Sequence, residues 1–284
     1  MIHVTTRADL RREVEEARSD RRRVSLVPTM GYLHEGHLSL VDRASAASDF
    51  VVMSIFVNPL QFAPGEDLAR YPRDLARDGE LAERRGVDLL FVPSVNEMYA
   101  THPFVVVDAP RLADRLCGRY RPGHFLGVLT VVAKLFNLVQ PDVAVFGQKD
   151  YQQLALIRLM VKDLDMPTAI LAGPIVREPD GLALSSRNVY LNEAERRDAA
   201  LLHAGLLAAQ RAFRAGERNA SKLIAATRET LAHGTHITPQ YIELVAPDTL
   251  DAATEAKSGD VLALAAHVGA SRLIDNHVLT EAPA

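Results

Sequence analysis

The stretch Val27–Leu38, VPTMGYLHEGHL, joins an apolar run to a turn that contains two glycines and two histidines. The residues that lead into it, Val24–Val27, have the short apolar pattern of a buried strand. After it, Leu38–Ala47 has apolar residues at three- and four-residue spacing, which predicts a helix that begins at Leu38. A strand, a glycine-containing turn and a helix in this order predict one repeat of an α/β fold with a parallel sheet.

The same alternation continues through the first two thirds of the chain. Further strands are predicted at Phe50–Val57, Asp88–Val92, Asp142–Phe146 and Thr168–Leu171. Further helices are predicted at Asp74–Arg85, Gly127–Val139 and Tyr151–Leu164. Strands that are apolar nearly throughout are covered on both faces, so we predict an α/β, Rossmann-like, doubly wound parallel sheet. Ligands of such sheets bind at the carboxyl ends of the strands.

The composition changes after about Asn188, where Ala, Leu and Arg dominate and the first helix opens at Asn192 with Glu195 three residues later. Three strand patterns follow and predict a small antiparallel sheet: Tyr241–Val245, Val261–Ala266 and Arg272–Leu279. The turn residues of Arg177–Gly181 lie before this change. We therefore predict a Rossmann-like domain over residues 1–180 and a smaller C-terminal α+β domain over residues 181–284.

Composition excludes several classes of function. The 284 residues are 48% hydrophobic and 24% charged, as in an ordinary globular enzyme, and their formal charge of −4 gives no basic face for nucleic acid. Cys117 is the single cysteine, so no intrachain disulfide can form and a cytoplasmic location is expected. The longest apolar stretch, Val128–Leu138, contains Lys134 and Asn137, so no contact with a membrane is expected.

His34 and His37 admit three interpretations. Together with His124 they would supply the ligands of a zinc hydrolase, although zinc-protease helices space their histidines four residues apart. They can also be packing residues of a tight strand-to-helix turn. In the third interpretation they bind phosphate, because glycines allow the backbone to approach a ligand closely and a helix N-terminus favours anions.

Several motifs favour the phosphate interpretation through a family resemblance. His-x-Gly-His after the first strand resembles the signature of the nucleotidylyltransferase superfamily, and Leu184–Asn188 takes the place of its phosphate-closing loop. The whole chain resembles the pantothenate synthetase (pantoate:beta-alanine ligase) family. The motifs that carry this resemblance are PTMGYLHEGHLSLV, SIFVNPLQF, EDLARYPRD, RPGHF, VFGQKDYQQL and LSSRNVYL, in that order. Tyr32, Leu126 and Leu129 depart from the commonest choices and bear only on the walls of the pocket.

The resemblance implies a ligase that condenses pantoate with β-alanine at the expense of ATP. Pantoate would react first to give pantoyl adenylate and pyrophosphate, and the amine of β-alanine would then displace AMP to give pantothenate. Residues 1–180 would bind ATP and pantoate, and the smaller domain would close over the site. Mg²⁺ would accompany ATP, and the enzyme would be a cytoplasmic homodimer in pantothenate biosynthesis.

The predicted site residues take their roles from this chemistry. His34, His37, Lys149 and the loop residues Ser185, Ser186 and Arg187 would stabilise charge on the phosphates. Gln61 and Gln153 would hold pantoate without trapping its carboxylate, because an amide is neutral, and Met30, Phe62 and Val131 would contact its methyl groups. Asp78 is the candidate Mg²⁺ ligand. The resemblance implies further contacts with ATP from Pro28, Thr29, Met30, Gly36, Gly147, Asp150 and Val176.

Two other functions remain open beside the zinc hydrolase. Another nucleotidylyltransferase, one that adenylylates a phosphate substrate, would share the phosphate motifs but would need Arg or Lys at Gln61 and Gln153. A nucleotide sensor would bind ATP without turnover.

Overall fold

The computed structural model describes residues 1–101 and 103–281, which form two compact units. The first unit contains the described residues of the ranges 1–114, 118–148 and 156–174. The second contains residues 115–117 and 149–155 and the described residues from 175 onward. The sequence-based division at residues 180 and 181, and the closure of the smaller domain over the site, stay predictions.

A parallel sheet of six strands is the framework of the first unit. Its strands are β1 Ile2–Val4, β2 Val24–Thr29, β3 Phe50–Ile55, β4 Leu89–Phe91, β5 Val143–Gly147 and β6 Ala169–Gly173. They lie in the order β1-β4-β3-β2-β5-β6, and every adjacent pair is parallel. From β2 the chain runs outward through β3 to β4, with β1 added at the edge beyond β4, and from β5 it runs outward to β6 on the other side, so the sheet is doubly wound, as predicted. The switch point of the topology lies between the carboxyl ends of β2 and β5.

Ten α-helices complete the described chain, several of them short. They are α1 Arg7–Ser19, α2 Glu35–Ser45, α3 Leu75–Arg84, α4 Val95–Met98, α5 Pro110–Ala113, α6 Leu116–Tyr120, α7 His124–Val139, α8 Tyr151–Asp163, α9 Glu193–Arg214 and α10 Ala220–Leu231. Short 3₁₀ helices lie at Pro59–Gln61, Asp67–Ala69, Gln148–Asp150 and Ser186–Tyr190. None of the helices among the described residues has both the length and the apolar character needed to cross a membrane.

Burial explains why the central strands are apolar. All six residues of β3 are buried, and β2 is buried except at Pro28. Leu38, Val41 and Ala44 of α2 pack against this sheet in one continuous core. The edge strands β1 and β6 are partly exposed, so their sequences carry a weaker apolar signal, and β1 was not predicted.

The second unit has its own core between two helices and an antiparallel sheet. The sheet consists of β7 Ile237–Val245, β8 Val261–Val268 and β9 Ser271–Val278, with β8 in the centre. Helices α9 and α10 contribute Leu202, Leu206, Phe213 and Leu223 to this core. The predicted cap of α9 is confirmed, because Asn192 accepts the Glu195 N–H at 3.0 Å and Glu195 accepts the Asn192 N–H at 3.0 Å. The predicted fold class is therefore confirmed in both of its parts.

A half-buried group of titratable side chains lies within the second unit. Arg177 donates two hydrogen bonds to buried Asp275, at 2.7 and 2.9 Å. Burial, followed by the charge of Arg177, lowers the pKa of His203 below its usual 6.5. Burial, followed by the charges of His203 and Arg177, also lowers the pKa of His277. The folded protein therefore favours the neutral form of both imidazoles.

This group predicts a loss of stability in mild acid. As the pH falls below about 6.5, the unfolded chain takes up protons that the folded chain resists, so the free energy of unfolding decreases. The urea midpoint at pH 5.5 should lie below that at pH 7.5, and the double substitution of His203 and His277 to Gln should reduce the difference. His233→Gln is the matched control, because His233 is exposed in the same unit. An unchanged difference in the double variant would contradict the prediction.

Candidate active site

The turn between β2 and α2 places the first predicted motif at the carboxyl edge of the sheet. Thr29 ends β2, and its hydroxyl donates to the Ser54 carbonyl at 2.8 Å and accepts the Gly31 N–H at 3.2 Å. Gly31 and Tyr32 have φ values of 82° and 51°, in the left-handed region. Gly31 is required there, because a Cβ atom would lie 2.9 Å from a methyl carbon of Ile55.

Asp78 of α3 binds the backbone of this turn. Its two carboxylate oxygens accept the Tyr32 N–H and the Leu33 N–H, each at 2.7 Å. The side chain is buried, with 1% of the residue exposed. Burial raises the pKa of the carboxyl group, and the N–H groups of Leu33 and Tyr32 lower it without cancelling the rise. Nearby, Arg77 donates to the Leu33 carbonyl at 2.9 Å.

The two histidines form the N-terminal cap of α2. The helix begins at Glu35, so the prediction that it begins at Leu38 was wrong. Glycine is unfavourable inside a helix, but Gly36 lies in the first turn of α2, which the side chain of His34 caps. The Nδ1 atom of His34 accepts the Gly36 N–H at 3.1 Å, and the Nδ1 atom of His37 accepts the His34 N–H at 3.4 Å.

These bonds assign the tautomer of both imidazoles. A nitrogen that accepts a hydrogen bond carries no proton, so the proton of each neutral ring lies on Nε2. The ring centroids are 4.1 Å apart, and both residues are only partly buried. Two adjacent Nε2–H donors at a helix N-terminus are suited to binding an anion such as phosphate.

Gln61 lies in a polar network that follows β3. Asn58 is buried and its amide nitrogen donates to Gln61 Oε1 at 3.1 Å and to the Gly127 carbonyl at 3.0 Å. The Tyr99 hydroxyl donates to Asn58 Oδ1 at 3.1 Å. Because Gln61 Oε1 accepts from Asn58, the amide is oriented with Nε2 on the other side, 3.1 Å from the Met30 sulfur. Gln61 and Met30, both predicted to contact pantoate, are thus brought together.

The RPGHF motif supports the loop that carries Gln61. Arg121 donates to both carboxylate oxygens of Glu66, at 2.8 and 2.7 Å. Burial is the largest single effect and raises the pKa of Glu66, but the hydrogen bonds and charge of Arg121, with smaller contributions from Ala63 and His124, together outweigh it and lower the pKa. The Nδ1 atom of His124 lies 2.8 Å from the Gln61 carbonyl oxygen, and its Nε2 atom lies 3.0 Å from a guanidinium nitrogen of Arg121. Arg121 and His124 of this motif therefore hold the loop through contacts with Glu66 and the Gln61 carbonyl.

The zinc hydrolase interpretation lacks its ligands. Across residues 1–101 and 103–281, no group of three or more His, Cys, Asp or Glu side chains is arranged to hold a metal ion. Both nitrogens of His124 face Gln61 and Arg121 in the RPGHF network.

The remaining phosphate-binding candidates lie in the second unit. Lys149 and Asp150 lie in the 3₁₀ helix after β5, and the Asn276 side chain donates to the Lys149 carbonyl at 2.9 Å. Ser185 caps the Ser186–Tyr190 helix by accepting the Arg187 N–H at 3.3 Å. Ser186 is buried. Val176 is joined to this segment, because its carbonyl accepts the Leu184 N–H at 3.0 Å.

Gln153 and its neighbour on α8 differ in their surroundings. Gln153 is partly exposed, as a ligand-binding residue requires. Gln152 is buried, accepts the Cys117 N–H at 2.9 Å and donates to the Arg115 carbonyl at 2.7 Å.

Sequence alone did not assign a role to Asn58, Tyr99 or Glu66. The position of Asn58 directly after β3 was the one available signal.

Comparison with known proteins identifies the family. A family model described as pantoate-beta-alanine ligase matches residues 2–278. The chain belongs to the pantoate-beta-alanine ligase family. The pantothenate synthetase of Thermoanaerobacter sp. (strain X514) is 52% identical over 276 residues, which cover 97% of this chain and 98% of that protein. The chain is therefore an enzyme of the ligase class.

Solved structures of this ligase family have the same fold. The pantothenate synthetase of Thermus thermophilus is 47% identical, with a TM-score of 0.92 over 98% of this chain and 99% of that chain. The pantoate-beta-alanine ligase of Francisella tularensis, in a complex with beta-gamma ATP and beta-alanine, is 33% identical. Its TM-score is 0.80 over 98% of this chain and 97% of that chain.

The close approach of α7 to the Gln61 loop yields a paired test with glycines. A Cβ atom on Gly127 would lie 2.6 Å from the Gln61 nitrogen and still closer to the Leu60 carbonyl. We expect Gly127→Ala to lower the free energy of unfolding by about 1–3 kcal/mol and to impair pantothenate formation. Gly79→Ala is the control, because Gly79 lies inside α3 with nothing within 4 Å of its Cβ position. That substitution should stabilise the protein by up to about 1 kcal/mol.

Urea unfolding and an assay of pantothenate formation measure the two effects. Equal stability and activity of the two variants would contradict the prediction, because it would show that α7 and the Gln61 loop can move apart at little cost.

Proposed function

We propose that this ligase makes pantothenate in two steps through a pantoyl adenylate. The observation that carries the proposal is the pair of Nε2–H donors on His34 and His37, at the helix that follows β2. They lie at the carboxyl edge of the sheet beside its switch point, where α/β folds bind ligands. A family that acts on carboxylate and amine substrates needs such an anion site if it activates the carboxylate with ATP.

The chemistry gives a reason for adenylation. A carboxylate is a poor acyl donor, because attack by an amine would have to expel an oxide ion. In the first step a pantoate carboxylate oxygen bonds to the α-phosphorus, and pyrophosphate leaves with the electrons of the α–β bridging bond. In the second step the β-alanine amine bonds to the acyl carbon, and AMP leaves with the electrons of the C–O bond while the new ammonium loses a proton.

Residues of the first unit are proposed to act on the α-phosphate and on pantoate. His34 and His37 donate from Nε2 to α-phosphoryl oxygens, where negative charge is rearranged during the first step. The Gln61 amide, oriented by Asn58, donates to pantoate, and Met30 contacts its methyl groups. Neutral amides suit this role, since an ion pair would hold the carboxylate too tightly in its unreacted state. Pro28, Thr29 and Gly147 at the strand ends, and Gly36 in the first turn of α2, line the nucleotide position.

Residues of the second unit are proposed to act on the outer phosphates. Lys149 supplies a point charge for the polyphosphate, and Ser185, Ser186 and Arg187 supply hydroxyl and guanidinium donors. Asp150 and Val176 contact the nucleotide. Gln153 is the second amide for pantoate. The ATP and β-alanine in the Francisella tularensis complex support these two as substrates here.

Magnesium fits this chain as a companion of the ATP phosphates. Mg²⁺ keeps several waters and needs only one or two protein carboxylates when phosphates supply the remaining oxygens. When bound, it would neutralise phosphate charge. Asp78 was the predicted ligand and stays a prediction, but both of its oxygens already accept backbone N–H groups. The homodimer and the cytoplasmic location also stay predictions.

Isotope exchange between ATP and pyrophosphate tests the two-step mechanism. We expect exchange that requires pantoate and Mg²⁺ but not β-alanine, because adenylate formation precedes entry of the amine. Exchange without pantoate would favour another nucleotidylyltransferase. Binding of ATP with neither exchange nor pantothenate would indicate a nucleotide sensor, and pantothenate formation without any exchange would overturn the adenylate intermediate.

The two half-reactions separate the proposed roles of Lys149 and Gln61. Lys149→Ala should lose most pantothenate synthesis from ATP, because its partner is the departing pyrophosphate. Supplied with prepared pantoyl adenylate and β-alanine, this variant should recover much of its rate. Gln61→Ala should stay impaired with either supply, since the pantoyl group is present in both steps and a misplaced carbonyl can reduce a rate by about 100-fold.

Circular dichroism should first show that both variants are folded. If they are then equally impaired with supplied adenylate, Lys149 also acts during amide formation and this division of roles is wrong.

A further inference from the structure

We propose that Asp78 is a positioning residue, whose buried carboxylate fixes the Tyr32–Leu33 turn and thereby aims His34 and His37. This inference rests on the proposed function, because it concerns how the two donors reach the α-phosphate. It differs from the role of magnesium ligand, in which Asp78 would act on the metal and not on the turn.

The backbone of the turn leaves little choice of partner. Its N–H groups from Gly31 to His34 all point to side-chain acceptors: Gly31 to Thr29, Tyr32 and Leu33 to Asp78, and His34 to His37. In this turn the N–H groups of Tyr32 and Leu33 are directed to one carboxylate, and neighbouring backbone N–H groups in a turn can bind an anion in this way. Here the anion is the carboxylate of the protein itself, with one oxygen on each N–H group.

Asp78 is surrounded by the core of the first unit. It lies in α3 and is almost completely buried, and Leu33 beside it is fully buried in the core below the sheet edge. A Cβ atom on Gly31 would lie 3.0 Å from Asp78 Oδ2, so the turn and the carboxylate are in close contact. Ala82 of α3 packs in the same core as the sheet. The Asp78 carboxylate on α3 therefore ties the turn to a helix that is packed against the sheet.

The next residue after the turn is the first histidine. His34 follows Leu33 directly, and its ring is held by the Gly36 N–H while its own N–H is held by His37. A shift of the Leu33 peptide would therefore move the helix cap and weaken both bonds to Nδ1. Without these bonds, the imidazoles can rotate or exchange tautomers, and the two Nε2–H donors no longer point together.

Asp78→Asn is the sharpest substitution. The side chain keeps its shape, but an amide has one acceptor oxygen and one NH₂ donor, so one of the two backbone N–H groups loses its acceptor. We expect the ATP–pyrophosphate exchange rate to fall about 100-fold, as for a misplaced catalytic group. The magnesium concentration that gives half the maximal rate should not change. In the free enzyme, ¹⁵N signals of the His34 and His37 rings should show a mixture of tautomers in place of the Nε2–H form.

Asp74→Ala is the matched control. Asp74 caps the same helix by accepting the Arg77 N–H at 3.1 Å, and it is exposed. Its loss weakens α3 without removing a contact to the turn, so the histidine signals and the exchange rate should stay close to those of the unsubstituted enzyme. A structural role of α3 alone would instead affect both variants alike.

Two results would overturn the proposal. One is a folded Asp78→Asn enzyme with unchanged histidine signals whose exchange rate is restored by excess Mg²⁺, which would make Asp78 a metal ligand. The other comes from a crystal structure of the unsubstituted enzyme with a non-hydrolysable ATP analogue and Mg²⁺, which needs no variant to fold. We expect Asp78 to remain on the two N–H groups, whereas a carboxylate that leaves them to bind metal at about 2.1 Å would refute positioning.

The two levels of proposal fail separately. If the unsubstituted enzyme shows no exchange, the adenylate mechanism fails, but the ring signals of the free enzyme still decide whether Asp78 fixes the histidines.

Discussion

The hydrogen bonds between the Asp78 carboxylate and the Tyr32 and Leu33 amides are the constraint on which the candidate site depends. A buried carboxylate is unfavourable unless its oxygens are satisfied, and two short bonds from peptide N–H groups offset part of that cost. The same bonds compensate two peptide groups that a left-handed turn removes from regular secondary structure. The carboxylate and the two N–H groups therefore satisfy one another's hydrogen-bonding capacity. The cap of α2, which contains both histidines, follows directly at the end of this turn.

Neutral groups oriented by neighbouring groups recur on this edge of the sheet. Gln61 is oriented by Asn58, which Tyr99 orients in turn. His34 and His37 are oriented by backbone N–H groups at Nδ1. In the proposed mechanism this arrangement holds pantoate and the α-phosphate in a fixed geometry without a strong ion pair to pantoate. Ordered dipoles of this kind need no reorganisation when charge moves during the reaction.

Much of the fold follows from local pattern. Six elements lie within a few residues of their predicted positions: the strands β2, β3 and β5 and the helices α3, α7 and α8. A strand covered on both faces must be apolar throughout, and a helix that packs on a sheet has apolar residues at three- and four-residue spacing. The start of α2 did not follow, since Gly36 suggested a break and only the side chain of His34 supplies the cap. The edge strand β1 has three residues and is mostly exposed, so its sequence carried no comparable signal.

The sequence by itself determined the fold class and the family and proposed the residues of the candidate site, because motif order and apolar periodicity are properties of the chain. Tertiary structure decided which groups hold those residues in place. Asp78 is 46 residues from Tyr32, and Gly127 is 69 residues from Asn58, so neither contact has a local signature. Nor can spacing show that both imidazoles carry their proton on Nε2, since the tautomer depends on the acceptor geometry that the folded turn imposes.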